Sequence, residues 1–495
     1  MFNVTQRHQE IKDIVLKFEN NFLVKKWSVN GIHIWPYIRI KLYFLLVTNL
    51  NDEDKIKCQE QSSVVKGKSF YVLKKVQLVF SLIISFFKNE LFFFRLKPKK
   101  VIFFGSHIHR VKHKEYYFNR FFDSMVDTHN LQDYVYMVEH QKVYDVNFNQ
   151  KNIIPLAQRL KDFTIVQKLK NRFKKKNLDV YLEDYNVFLE LLSKEIPNAQ
   201  SLSISETDMI GWTNKIKALD AFYTRMFSKV QPEKIIFPGY YAWDNLYAAV
   251  FTANKLKIRT IDFQHGPQTN VHMVFSSWTK IPDRGYGIMP TEYWTWDENS
   301  KINIDKWAQK TSNVISKIVG QPYLEYWKQK NKDLVEEKKI VLYSLQLMPL
   351  TQMLSDIIIA LIINSPKHWK IRLHPRNEFD KSDIEEYLDS KGVKRSSYSI
   401  HDSKECPLPE ILTTTHLHVT AFSGCLIEAK MMGVPSVIIN SVGKEIYKDY
   451  IDNELVFYLD QDEIDFKNSF YKLIEKNDMT TLVVAKNSIV NPILT

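Results

Sequence analysis

Glycine is scarce in this chain, with 13 in 495 residues. That argues against glycine-rich loops as its main device for holding phosphate and leaves the work to side chains and helix ends. Cysteine is scarcer still. Cys58, Cys406 and Cys425 have the spacing of neither a zinc site nor a disulfide framework, which points to a reducing compartment. No apolar run reaches the ~20 residues of an uninterrupted spanning helix. The amino terminus, MFNVTQRHQEIKDIV, is polar and amphipathic and unlike a secretory signal, so a cytoplasmic location is expected. Solenoid-type repeats and low-complexity tracts are missing as well.

What is present has a globular balance: 45% hydrophobic and 25% charged residues. The length calls for two or three domains. The formal net charge is +12, and residues 51–100 alone hold eleven Lys/Arg against five Asp/Glu. A second basic run comprises Lys168, Lys170, Arg172, Lys174, Lys175 and Lys176. Such runs suit a solvated helix face, a nucleic acid or an anionic membrane leaflet. A nucleic-acid binder is disfavoured, because no binding motif is present and the basic runs do not coincide with an aromatic stacking platform.

Residues 76–96, VQLVFSLIISFFKNELFFFRL, carry Lys88-Asn89-Glu90 near the middle, which argues against spanning. Their aromatics and the flanking Lys74, Lys75, Arg95, Lys97, Lys99 and Lys100 suit a helix lying in the interface. A buried helix of a helical subdomain is the alternative. The expectation is peripheral attachment to the inner face of the plasma membrane through 74–100.

Four regions are expected. Residues 1–99 form a helical amino-terminal region, with Pro36 opening a helix. Residues 100–327 form a first α/β domain, with strands at 101–105, 134–139, 234–239, 259–264 and 292–297 and helices at 179–195 and 213–229. Residues 328–480 form a second, in which strands at 338–346, 370–375, near 397–400, at 416–423 and at 434–440 alternate with helices at 350–363, 380–391, 408–413 and 424–433. Residues 481–495 are a tail. Strands alternating with helices mean mostly parallel sheets.

In such sheets ligands bind beyond the carboxyl ends of the strands, and polar residues gather there. His107, His109 and Arg110 follow the first strand. Gln264, His265 and Gly266 follow 259–263, and Asp244 follows 234–239. In the second domain the strand exits carry Ser344 and Gln346, then Arg372, His374 and Arg376, then Ser423 and Gly424, with Glu428 on the following helix. Histidine and arginine donate to phosphate oxygens. A serine at a helix start caps it beside free backbone N–H groups. A neutral His265 is suited to accept a proton from a hydroxyl. His107-x-His109 without acids nearby is a poor metal signal.

Taken together these segments resemble the two-Rossmann-domain (GT-B) glycosyltransferases. Ile318-Val319-Gly320-Gln321-Pro322-Tyr323 resembles the joint that closes their first domain. His374-Pro375 and the 420–439 segment, TAFSGCLIEAKMMGVPSVII, resemble their donor-domain motifs. The combination of Gln264-His265-Gly266, Arg372-x-His374-Pro375 and Ser423 is similar to teichoic-acid glycerophosphotransferases, with Gln264 where those have tryptophan. Bacterial sialyltransferases share the HP and serine motifs but carry an acidic motif not found here. The 423–435 pattern is also similar to UDP-N-acetylglucosamine 2-epimerases. The resemblance covers roughly 235–440.

It implies an α/β chain of two Rossmann-like domains that moves a sugar or sugar-like unit from a nucleotide-activated donor to a lipid-linked or growing surface glycan of capsule, O-antigen or teichoic type. A nucleotide-sugar epimerase is the alternative. The implied roles are catalytic for His265 and His374; donor-binding for Ser344, Gln346, Arg372, Arg376, Ser423, Gly424 and, at the ribose, Glu428; and acceptor-binding for His107, Asp244, Gln264 and Gly266. No cofactor and no metal are expected, since cationic side chains and a helix dipole stabilise the leaving phosphate.

Overall fold

The computed structural model describes residues 7–52, 84–113, 115–171, 178–330, 339–375, 378–403, 406–451 and 455–478. Cys58, Arg376, the leading part of 74–100, most of the second basic run and the 481–495 tail lie outside them.

Two parallel sheets organise the chain. The first contains β1 (Val101–Gly105), β2 (Val135–Glu139), β3 (Ile153–Pro155), β4 (Lys234–Phe237), β5 (Arg259–Phe263), β6 (Glu292–Thr295) and β7 (Ile315–Ile318). Their order is β7-β6-β5-β4-β1-β2-β3. The second contains β8 (Ile340–Ser344), β9 (His368–Arg372), β10 (Tyr398–His401), β11 (Thr415–Thr420), β12 (Ser436–Ile438) and β13 (Val456–Tyr458), in the order β10-β9-β8-β11-β12-β13. Both are doubly wound, reversing direction between β1 and β4 and between β8 and β11. This is the two-Rossmann, GT-B architecture.

The strand sequences explain the sheets. VIFFG, IVLYS and THLHVT are buried at every position, as strands covered by helices on both faces require. Register brings Ser344 beside Arg372 on one side and Thr420 on the other, so three exits of the second sheet begin side by side. The helix Glu206–Val230 opens with a capping box between Ser205 and Asp208. It buries Met209, Trp212, Ile216, Leu219, Tyr223, Met226 and Val230, spaced alternately by three and four as one helix face demands. β3, β7 and β13 are not foreseen from the sequence. All three are short, and β7 is a largely exposed edge.

The described part of 1–99 is not a separate body. Ile11, Phe18, Trp27, Trp35 and Tyr43 share one core with Phe188, Phe222, Tyr247, Trp278 and Tyr293 of the first domain. A fully buried Arg39–Glu19 ion pair of 2.6 Å lies within it. Glu19 also accepts from the hydroxyl of Thr279 at 2.7 Å, and the Arg39 guanidinium lies 4.0 Å over Trp278. These contacts pair charges whose burial otherwise costs several kcal/mol.

The domains meet through a polar seam beside an apolar one. Tyr450 donates to Asp297 at 3.1 Å, and Asn303 donates to Asp449 at 2.9 Å. Leu426, Ile427 and Tyr447 share a core with Phe121, Phe263 and Trp296.

Candidate functional site

Both reversal points open toward the same seam. Pro267, in the turn after β5, lies against Gly424, in the turn after β11. A Cβ on Gly424 would stand 3.2 Å from two carbons of the Pro267 ring. The His265 turn and the Ser423 turn therefore face each other directly.

On the first-domain side, His265 keeps a partly exposed edge and lies 5.8 Å, centroid to centroid, from His109. Burial first, and then the charge of Arg120, push the His265 imidazole down to about 4, so it is neutral at neutral pH. Burial first, and then the charges of His265, Arg120, His107 and His140, hold His109 well below the usual histidine range. Asp262 stabilises the neighbouring turn by accepting from the N–H groups of Gly239 and Tyr240 at 3.2 and 3.1 Å. Burial nevertheless raises its carboxyl to about 8.

The platform under His107 and His109 is a buried ion triad. Arg110 donates to Glu139 at 2.6 Å and to Asp123 at 3.3 Å. Gly105 allows that approach, since a Cβ there would meet a Glu139 oxygen at 2.6 Å. Arg110, expected beside the substrate, is thus a structural cation. The chain then runs through a two-stranded hairpin, Arg110–His113 with Tyr116–Asn119, and returns over the cleft at Arg120.

On the second-domain side, Glu428 is buried with one oxygen accepting from Gln321 at 2.9 Å. Burial raises its carboxyl, while Arg120 from the first domain and Arg372 from the second both favour its charged form. Gln321 also accepts from the N–H of Tyr323 at 2.7 Å, so it caps the connecting helix Pro322–Lys330 while reaching into the second domain. Ser344 is buried and hydrogen-bonded to His418 at 3.0 Å. His418 contacts Ser436 through its other nitrogen, also at 3.0 Å. Ser423 accepts from the Cys425 N–H at 3.3 Å, and its own N–H donates to Thr420 at 2.9 Å. The helix begins at Cys425, with Gly424 at the cap position.

His265, Gly266, Arg372, Ser423, Gly424 and Glu428, expected from the sequence, gather at or beside this seam. His107 stands at the β1 exit, His374 at the β9 exit and Gln346 just past Ser344. Two acceptor residues are engaged elsewhere. Gln264 is fully buried; it accepts from the Trp296 N–H at 2.6 Å and donates to the Gly266 carbonyl at 3.0 Å and to Ser300 at 3.1 Å. It shapes the turn. Asp244 accepts from Trp212 at 3.0 Å and pairs with Lys215 at 2.6 Å, which fastens two helices together. Arg372 has a second duty, donating to the carbonyls of Cys406 at 2.6 Å and Ser403 at 3.0 Å.

Sequence reasoning missed Arg120. Its Nε is buried without a hydrogen-bond partner, its guanidinium lies over Phe121, and its charge reaches His109, His265 and Glu428. An arginine before an aromatic pair, in Asn119-Arg120-Phe121-Phe122, is no motif, and only the fold brings it to the cleft. Among the described residues, no three His, Cys, Asp or Glu side chains are grouped to hold a metal ion.

The sequence matches no protein-family model, and no curated protein is detectably similar to it. Solved structures do share its outline. A UDP-GlcNAc 2-epimerase from Neisseria meningitidis bound to UDP-GlcNAc aligns at TM-score 0.43 and 15% identity, over 80% of this chain and 95% of that one. The glycotransferase of kitacinnamycin aligns at 0.40 and 10%, over 77% and 91%. MurG from Acinetobacter baumannii aligns at 0.38 and 9%, over 77% and 92%.

Proposed function

We propose that this chain transfers a sugar or sugar-like unit from a nucleotide-activated donor to a hydroxyl of a glycan or lipid-linked glycan acceptor. The observation that carries the reading is the meeting of the two doubly wound sheets at their reversal points, with Pro267 against Gly424 and one carboxylate, Glu428, set between arginines of both domains.

The donor nucleotide lies against the second domain. Glu428 accepts from its ribose hydroxyls, and Ser344, Gln346, Ser423 and Gly424 line its path. Arg372 and His374 face its phosphates, where charge develops as the donor breaks. The acceptor lies against the first domain beside His107 and Gly266. Neutral His265 takes the proton of the acceptor hydroxyl. The hydroxyl oxygen then bonds to the anomeric carbon. The bond from that carbon to the phosphate oxygen breaks, and its electron pair leaves with the nucleotide. Arg120, positioned between His265 and Glu428, stabilises the departing charge from the acceptor side.

An epimerase of nucleotide sugars would use the same nucleotide contacts. On the first-domain side, however, the groups at the seam are His265, His109 and Arg120. The buried acids Glu139, Asp123 and Asp262 are bonded to Arg110 and to backbone N–H groups. That set suits the activation of a hydroxyl and the neutralisation of an anion.

The test is a thermal-shift panel of UDP, GDP, CMP, CDP and dTDP, each with and without EDTA. A ligand that binds only the folded state raises its melting temperature. One nucleotide class raising the melt of wild type, but not of Ser423→Ala or His374→Ala, supports the reading and names the donor class. A flat panel overturns it. Conversion of the matching nucleotide sugar without an acceptor would favour the epimerase.

A further inference from the structure

The helix 84–95 presents apolar residues on both of its faces. Its inner face holds buried Phe92 and Phe93 against the helix Glu206–Val230, where Phe93 lies 5.1 Å from Phe222 and Phe92 stacks on Phe222 at 6.0 Å. Glu90 pairs with Arg225 through both oxygens at 2.5 Å. This side is a conventional packed interface, and it fixes the rotation of the helix.

The opposite side carries Ile84, Phe87, Leu91 and Phe94, which are 40%, 64%, 48% and 84% exposed. Their spacing of three, four and three places them within an arc of roughly 80°, opposite Phe92 and Phe93. A surface helix in water directs polar residues outward, and a contiguous outward stripe of large apolar side chains marks an interaction site. Exposed Lys88 and Arg95 run along one border, and exposed Lys97 and Lys100 follow. From 84 to 100 the chain holds five Lys/Arg and one acid, Glu90, which Arg225 already neutralises.

We propose that this stripe docks in the plane of a lipid surface bearing anionic headgroups. Ile84, Phe87, Leu91 and Phe94 enter the boundary between headgroups and acyl chains, and the basic border meets the headgroups. Spanning is not involved: among the described residues no helix is long and apolar enough to cross a membrane. Charge selects this occupant over two others. A second copy joined through the same patch would bring two basic borders, each with Lys88 and Arg95, to one interface. Residues 53–75 carry six Lys/Arg against three Asp/Glu, so covering the stripe with them would add cations to cations. The helix leads into the amino end of β1, while the cleft lies at the carboxyl ends of the strands, so the proposal stands independently of the transfer reaction.

The full-length protein is sedimented with vesicles of phosphatidylcholine alone and of phosphatidylcholine with 30% phosphatidylglycerol. Binding to the anionic vesicles, weakened by salt and reduced at least tenfold in Phe87→Glu/Phe94→Glu, is the expected result. The same variant should keep the wild-type melting temperature. Equal or absent binding to both vesicles overturns the proposal, and so does binding that the double variant retains. A lowered melting temperature in Phe94→Glu would assign the stripe to another part of this chain. A dimer abolished by the same substitution would assign it to a second copy. Either result also overturns the proposal.

Discussion

Gly239 lies beneath the imidazole of His265: a Cβ built on it would stand 2.8 Å from Cε1 and 3.3 Å from Nε2. Its φ of +84° adds a second demand for glycine. Gly239→Ala violates both conditions. Gly392→Ala violates only the backbone one, since Gly392 has φ of +76° but nothing within 4 Å of an added Cβ. Each substitution should cost about 1–2 kcal/mol of stability. Only Gly239→Ala should also lower kcat/KM, on the order of 100-fold, because it displaces the imidazole proposed to take the acceptor's proton. Equal activities in the two variants would remove His265 from the reaction.

Arg120→Ala should have two separable effects. With burial, Arg120 holds His265 at about 4, so the imidazole stays ready to accept a proton through neutral pH and becomes protonated only as the pH falls through about 4. Removing the cation raises that value. The acid limb of kcat/KM should therefore move to higher pH, while the plateau falls by about 10²–10³-fold from the lost charge stabilisation. A full pH–rate profile reads both effects. A lower plateau with an unmoved acid limb would separate Arg120 from His265.

Asp262 is held protonated, at about 8 in the folded chain against an ordinary 3.8. Between those values the unfolded chain has lost a proton that the folded chain keeps. The contribution of Asp262 is therefore complete below pH 3.8 and declines as the pH rises to 8, by at most about 1.4 kcal/mol per pH unit. Asparagine matches the protonated carboxyl and still accepts from Gly239 and Tyr240. The melting temperature of Asp262→Asn minus that of wild type should climb between pH 5 and 8. Buried His272 and His418, both at about 3, act in the opposite sense but cancel in the difference. A flat difference would show that Asp262 does not titrate in this window.

Glu428→Gln and Gln321→Ala alter the same contact from opposite ends: the first keeps an acceptor oxygen for Gln321, and the second removes the donor. Glu428→Gln keeps the shape and removes the charge proposed to face the donor ribose, so donor Kd should rise about tenfold or more with little change in melting temperature. Gln321→Ala removes the cap of the helix Pro322–Lys330 as well, at a cost of about 1 kcal/mol, and should lower the melting temperature more than it weakens donor binding. Calorimetry and nucleotide titration on both variants test the contrast.

The two-sheet architecture was legible because parallel strands buried on both faces write themselves as short apolar runs. β1 and β8 are unmistakable for that reason, whereas β7, with Lys317 on an exposed edge, carries no such run. The places of the candidate residues at strand exits were legible for a topological reason, as the exits of β5, β9 and β11 follow from where the strands end. Side-chain direction was not. Gln264 and His265 are neighbours in one turn, yet one is buried in the turn and the other faces the cleft. Arg120 was hidden because it reaches the site through the hairpin before it, a detour without a sequence signature.

The core that joins Trp27, Trp35 and Tyr43 to Trp278 and Tyr293 has a consequence for synthesis on the ribosome. The first helices leave the exit tunnel with their large apolar faces formed and their partners still untranslated. At about 5–20 residues per second, the ~240 residues separating Tyr43 from Trp278 take on the order of 10–50 s to appear. Over that interval the amino-terminal helices have only each other and, later, Tyr185, Phe188 and Tyr247 to pack against, so their core closes in stages as the first domain is made.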